Sequence, residues 1–154
     1  EINKQIGNRA QEGINLGSMG IIHQEQGDYE KALEQYTKAL KIHREIGNKR
    51  SEGMTLGSIS IIFKLQGEIE KALESYTKTL NIHREIGNKR SEGITLGNMA
   101  TLYQHQGENE KALESYSKAL NIHREIGNKR VEGVTLGGMA TLYQHQGENE
   151  KALE

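Results

Sequence analysis

The ten residues Asn81–Arg90 read NIHREIGNKR, and the same ten return unchanged at Asn121–Arg130. A second stretch, Thr101–Glu114 (TLYQHQGENEKALE), returns unchanged at Thr141–Glu154. Both offsets are 40 residues, and the same period links Ile6-Gly7-Asn8, Ile46-Gly47-Asn48, Ile86-Gly87-Asn88 and Ile126-Gly127-Asn128. A period between about 20 and 50 residues marks a solenoid, in which each unit buries its apolar face only against its neighbours. The first copy is the most diverged and the last two are nearly identical.

Glycine punctuates each repeat twice, for instance at Gly107 and at Gly127-Asn128, leaving two segments of about 18 residues. A glycine just past a periodic segment stops a helix, because it enters the left-handed conformation without strain. Between those stops Ala112, Leu113, Tyr116, Ala119, Leu120, His123 and Ile126 recur at three- and four-residue steps, one face of a helix. Leu96, Met99, Ala100 and Tyr103 do the same in the preceding segment. Glu108 and Glu110 suit the positive start of the second helix and Arg124 its end, and Glu114 with Lys118 forms an exposed pair at a favourable spacing. Each repeat is therefore a helical hairpin. Turns are predicted at Gly27, Gly47, Gly67, Gly87, Gly107, Gly127 and Gly147, giving seven complete antiparallel helices with short remnants at the two ends. Hairpins fall near 10–48, 49–88 and 89–128, with a truncated one at 129–154 and residues 1–8 as the tail of a preceding helix.

The composition agrees. The chain has 154 residues, 20 basic against 21 acidic, a net charge of −1, and 34% hydrophobic residues with 18 glycines. It lacks proline, which suits uninterrupted helices, and it lacks cysteine, which excludes disulfides, thiolate metal sites and cysteine nucleophiles. No apolar run approaches the roughly 20 residues of a membrane span. The chain opens at Glu1 rather than methionine, so a fragment is expected, with the cytoplasm as its expected compartment.

Leu96-x2-Met99-Ala100-x2-Tyr103 followed by Ala112-x3-Tyr116 resembles the tetratricopeptide repeat pattern. Leu56, Ile59, Ser60, Phe63, Ala72 and Tyr76 repeat it, as do Leu16, Met19, Gly20, His23, Ala32 and Tyr36, and Leu136, Met139, Ala140, Tyr143 and Ala152. Leucine replaces the usual tryptophan, and Arg44, Arg84 and Arg124 replace the closing proline. The 40-residue period resembles the long-repeat branch found in cell-polarity adaptors, kinesin light chains and bacterial signalling proteins. The resemblance implies an all-α, right-handed superhelical solenoid of antiparallel hairpins, about 3.5 repeats long.

Other chemistry is weighed against packing. His43, His83 and His123 fall one per repeat, so stacked helices hold them roughly 10 Å apart, whereas zinc takes its ligands at about 2 Å. A hydrogen-bonded packing role on the core stripe is expected instead. His105 and His145, near the ends of their helices, are plausible groove residues. Gly87-Asn88-Lys89-Arg90-Ser91 lacks the ending of a phosphate loop. Lys49, Arg50, Lys89, Arg90, Lys129 and Arg130 line one edge, opposite Asp28, Glu30, Glu68, Glu70, Glu108 and Glu110. Glu45, Glu52, Glu85, Glu92, Glu125 and Glu132 interleave the basic edge, so a solvated face is expected rather than a nucleic-acid surface. Each first helix carries a glycine pair, Gly13/Gly17, Gly53/Gly57, Gly93/Gly97 and Gly133/Gly137. Each interior glycine costs about 1 kcal/mol relative to alanine. Close helix approach along a seam of Gly93, Gly97 and Ala100 is expected to offset it. A partner chain approaching this backbone is a compatible second reading. No constellation suits catalysis, and no cofactor or metal is expected.

In the family, the first helices of successive hairpins line a concave groove that binds a partner segment. Carried over, the groove residues are Ser18, Ile21 and Glu25; Ser58, Ile61, Lys64 and Leu65; Asn98, Thr101 and His105; and Thr141 and His145. Asn98 matches an asparagine that polarity adaptors turn to their partner's backbone, while Ser18, Ser58 and Gly138 stand at its equivalents. The clamp for carboxyl-terminal tails is missing, since Gly17, Gly57, Gly97, Ile21 and Ile61 hold those places. The expected function is a protein-interaction scaffold with a protein or peptide partner, and no nucleic acid or membrane. The alternative is an architectural or self-associating segment of a longer array in a multidomain sensor or signalling protein. Head-to-tail self-association is expected of the repeat ends, with Leu136, Met139 and Tyr143 partly uncovered.

Overall fold

The computed structural model describes residues 2–145 and 147. Among them lie seven α-helices and no strand: α1 (Ile2–Glu25), α2 (Tyr29–Glu45), α3 (Lys49–Leu65), α4 (Ile69–Glu85), α5 (Lys89–His105), α6 (Asn109–Glu125) and α7 (Lys129–His145). The chain forms two compact units, Glu1–Ile86 and Gly87–Glu154. In the first, α1 packs on α2, α2 on α3 and α3 on α4; in the second, α5 packs on α6 and α6 on α7.

The glycines end the helices as their spacing predicts. All seven expected turn glycines have φ between 68° and 77°. At Ile46-Gly47-Asn48 the Gly47 N–H donates to the Arg44 carbonyl (3.1 Å) and the Asn48 N–H to that of His43 (2.8 Å), so the last carbonyls of α2 are satisfied. The Asn48 side chain then accepts from the Ser51 N–H at 3.1 Å and caps α3. Asn88 and Asn128 cap α5 and α7 in the same way. Asp28 caps α2, whereas Glu68 and Glu108, at the starts of α4 and α6, make no side-chain cap bond.

One boundary departs from expectation. The triplet Ile6-Gly7-Asn8 predicts a turn, with residues 1–8 as a separate helix tail, yet α1 runs unbroken through it. Nothing lies within 4 Å of where a Gly7 side chain would begin. With no packing there to favour a turn, the helical hydrogen bonds continue.

In the first unit Ala32, Tyr36 and Leu40 of α2 meet Leu56, Ile59 and Ile62 of α3 and Ile82 of α4 in one core, flanked by Tyr29, Leu33 and Phe63. In the second, Ala100, Ala112, Tyr116 and Leu142 join α5, α6 and α7, flanked by Tyr103, Leu113 and Met139. Leu136 of α7 is 42% exposed where Leu96 is 4%.

Candidate partner-binding cleft

In α1, α3 and α5 the two glycines do different things, whereas in α7 neither Gly133 nor Gly137 has a neighbour within 4 Å among the described residues. A Cβ on Gly13 would stand 2.7 Å from Cε1 of His43, one on Gly53 3.0 Å from Cε1 of His83, and one on Gly93 2.7 Å from Cε1 of His123. The first glycine thus lets a second-helix imidazole lie on bare backbone. The second glycine meets nothing within 4 Å at Gly17, Gly97 and Gly137, and at Gly57 only a Thr79 methyl at 3.8 Å. The expected continuous seam is therefore corrected: helix approach uses the first glycine, and the second faces open space.

His43, His83 and His123 are buried on the core face. Neither ring nitrogen of His123 has a hydrogen-bond partner, nor does Nδ1 of His43. At these two positions the expected hydrogen bonding gives way to packing, because the ring faces a glycine rather than a polar side chain. Burial pushes both imidazoles below their ordinary value, opposed more weakly at His43 by the Glu52 charge.

Within each unit a tyrosine from a second helix floors the space between the first helices on either side of it. Tyr116 of α6 donates to Gln104 Oε1 at 3.1 Å, and its hydroxyl lies 3.3 Å from that of Thr101. On the α7 side it fills the place where a Gly138 side chain would begin, 2.8 Å away. Tyr36 donates to Gln24 at 3.0 Å in the first unit. The equivalent of Gln24 and Gln104 in the second hairpin is Lys64. There the buried Tyr76 hydroxyl has no partner, and burial pushes it up to about 12.

Above Tyr116, α5 and α7 bound an open cleft of about 870 Å³. Arg130, Ile94, Val131 and Val134 line one end, Gln104, His105 and His145 the other, with Gly97, Asn98, Thr101 and Thr141 between. Asn98, Thr101, His105, Thr141 and His145, all predicted for the groove, are thereby brought together. In the first unit Ser18, Ile21 and Glu25 are exposed on α1, Ile61 and Leu65 are exposed on α3, and Ser58 and Lys64 are half-buried. Four hydroxyls in the predicted set turn back on their own helices: Ser18 donates to Ile14, Ser58 to Met54, Thr101 to Gly97 and Thr141 to Gly137. Sequence reasoning passes over Ile94, Val134 and their exposed counterparts Ile14 and Met54. Their signal is an apolar residue directly after the first glycine in every repeat, off the core stripe.

Ion pairs tie the basic edge together. Arg44 and Lys49 meet the buried Glu52 at 2.9 and 3.4 Å, and Arg124 and Lys129 meet Glu132, both at 2.9 Å. Lys129 and Arg124 hold the Glu132 carboxyl below the usual range. At the opposite helix starts Asp28, Glu68 and Glu108 pair with Lys31, Lys71 and Lys111. Arg130 makes no ion pair among the described residues, and no Asp or Glu lines the cleft. Among the described residues no group of three His, Cys, Asp or Glu could hold a metal ion, and no helix is long and apolar enough to cross a membrane.

Helical hairpins repeated every 40 residues, closed by glycine and cored by alanine and tyrosine, define an α-helical repeat protein of the solenoid class. The sequence profile of the tetratricopeptide repeat matches residues 11–85 and 91–154, and the chain belongs to that family. No curated protein is significantly similar to it in sequence. Among solved structures it resembles BtubC of P. vanneervenii, with a TM-score of 0.80 and 21% identity over 89% of this chain and 57% of that one. It resembles a signal transduction ATPase with numerous domains, bearing a tetratricopeptide repeat sensor, from Pyrococcus horikoshii: TM-score 0.83, 25% identity, 99% of this chain and 24% of that one. It also resembles aspartyl phosphate phosphatase F of Bacillus subtilis: TM-score 0.89, 14% identity, 94% and 38%. The chain therefore spans between about a quarter and somewhat over half of these relatives.

Proposed function

We propose that the chain is a protein-interaction scaffold that holds a partner segment against its first helices and carries no catalysis or cofactor of its own. The observation that supports this is the bare backbone at Gly97, open above and set in a cleft of about 870 Å³. A helix interior gives up about 1 kcal/mol by using glycine there instead of alanine, and no neighbouring side chain requires it. A partner main chain can come within hydrogen-bonding reach of Asn98, while Ile94 and Val134 seat its apolar side chains. The test is a random dodecapeptide library selected on the full chain and counter-selected on Gly97→Gln, whose added side chain fills the cleft. Peptides that bind the parent and lose the variant are expected. A pool that binds both equally, or no enriched pool, would remove the reading.

Self-association is a second reading, supported by α1. Met19 and Ile22 are 46% and 52% exposed, whereas Ile59 and Ile62 at the same repeat positions are 7% and 0% exposed, in a core shared with α2. A second-type helix from another copy fits the α1 face as α2 fits α3, and such a heterologous contact propagates into open stacks. Light scattering over a concentration series is expected to show mass growing with concentration; a constant monomer mass would sink this reading. The same contact would serve an architectural segment of a longer array.

A further inference from the structure

We infer that the cleft between α5 and α7 takes an acidic protein segment, with a carboxylate on Arg130 and an adjacent apolar side chain on Ile94 and Val134. This rests on the groove reading above and narrows it to one kind of partner.

The argument is one of charge. The whole sequence is nearly balanced, 20 basic against 21 acidic side chains, so an ordinary patch of its surface carries both signs. The cleft does not. Arg130, His105 and His145 line it, and among the described residues no carboxylate does. The acidic groups described on the surrounding helices are paired, buried or outside the lining. Glu132 of α7 is held by Lys129 and Arg124, each at 2.9 Å. Glu92 of α5 is buried, with Lys89 at 3.5 Å. Before and along α6, Glu108 pairs with Lys111 and Glu114 with Lys118, and the exposed Glu110 and Glu125 lie outside the lining. Arg124 and Lys129, neighbours of Arg130 in sequence, have carboxylate partners, whereas Arg130 has none among the described residues.

A guanidinium presents a planar fork of donors that matches a carboxylate with two parallel hydrogen bonds. Beside Ile94 and Val134 part of its surroundings is apolar, so such a pair is screened less by water than one on an open edge. Nucleic acid fits less well, because tracking a phosphate backbone needs several cations and the described residues lining the cleft include one arginine and no lysine.

The peptides selected over Gly97 provide the test. Their sequences are expected to be enriched in Asp and Glu beside an apolar residue. Fluorescence anisotropy of the best binder should show affinity falling with added salt and falling at least about tenfold in Arg130→Gln. Arg130 is exposed and has no ion pair among the described residues, so that variant keeps its fold. A Gly97-dependent pool that is neutral or basic, or whose affinity Arg130→Gln leaves unchanged, overturns the acidic assignment and leaves the groove reading standing. Displacement of the peptide by equimolar oligothymidylate also overturns it, in favour of nucleic acid. If no pool depends on Gly97, both fall together.

Discussion

Gly93 and Gly97 are four residues apart on α5, and adding the same methyl group to each should move stability in opposite directions. At Gly93 the new carbon would stand 2.7 Å from the buried His123 ring, so Gly93→Ala is expected to cost about 1–3 kcal/mol of overpacking. At Gly97 it meets nothing, so Gly97→Ala is expected to gain up to about 1 kcal/mol of helix propensity. Thermal unfolding of the two variants side by side checks both signs. Tyr76 offers a second substitution. Its hydroxyl lacks the acceptor that Gln24 gives Tyr36 and Gln104 gives Tyr116. Lys64→Gln should supply one and raise stability by about 1 kcal/mol, a shift of roughly 2–4 °C in Tm. The pairing of glycines was legible in the sequence, but their division of labour was not. Pattern alone does not say which glycine faces a ring and which faces open space.

The joints between helices are built from very few residues. Asn88 caps α5 by accepting from the Ser91 N–H at 3.2 Å. Asn88→Ala is expected to lose about 1 kcal/mol in denaturant unfolding. Glu108 lacks such a bond, and Glu108→Asp, which copies Asp28 of α2, should gain a few tenths to about 1 kcal/mol. On the first helices Ile61 is exposed. Ile61→Asp should weaken partner binding by more than about 1 kcal/mol if a buried contact is lost, while an unchanged affinity would exclude α3 from the groove. The turns were readable because glycine is required at a positive φ. The continuation of α1 through Gly7 was not, because that triplet is identical to those that turn. Ile94 and Val134 escaped because apolar residues were assigned to the core by period, and these lie beside it.

For the whole molecule, the buried imidazoles predict a pH response. Burial holds His43 and His123 below the 6.5 of free histidine, so the unfolded chain binds protons that the folded chain refuses. Stability is then complete above that value and is lost progressively as pH falls below it towards the folded values. The lowered carboxylates of Glu34, Glu74, Glu114 and Glu132 act in the same direction, but only as pH falls below their ordinary 4.5. Tm should therefore hold steady from about pH 8 to 7 and decline between about pH 6.5 and 5. A His43→Gln/His123→Gln variant should decline less over that interval; an equal decline would assign the effect to other groups. The repeat architecture was plain in the sequence, since a period of 40 residues needs no packing information to detect. The charge character of the cleft was not, because Arg130 reads as one more member of a basic edge until its neighbours' ion pairs are seen.

From Ile46 onward each Ile-Gly-Asn joint ends one helix and starts the next, its asparagine side chain capping the new helix. At the level of the gene, a joint that asks nothing of distant residues is a safe place to cut. Forty codons, or 3 × 40 = 120 nucleotides, separate one such joint from the next, so slippage between near-identical copies adds or removes a hairpin in frame and leaves both flanking joints intact. Related alleles should therefore differ in length by multiples of 120 nucleotides more readily than by point changes at the joints.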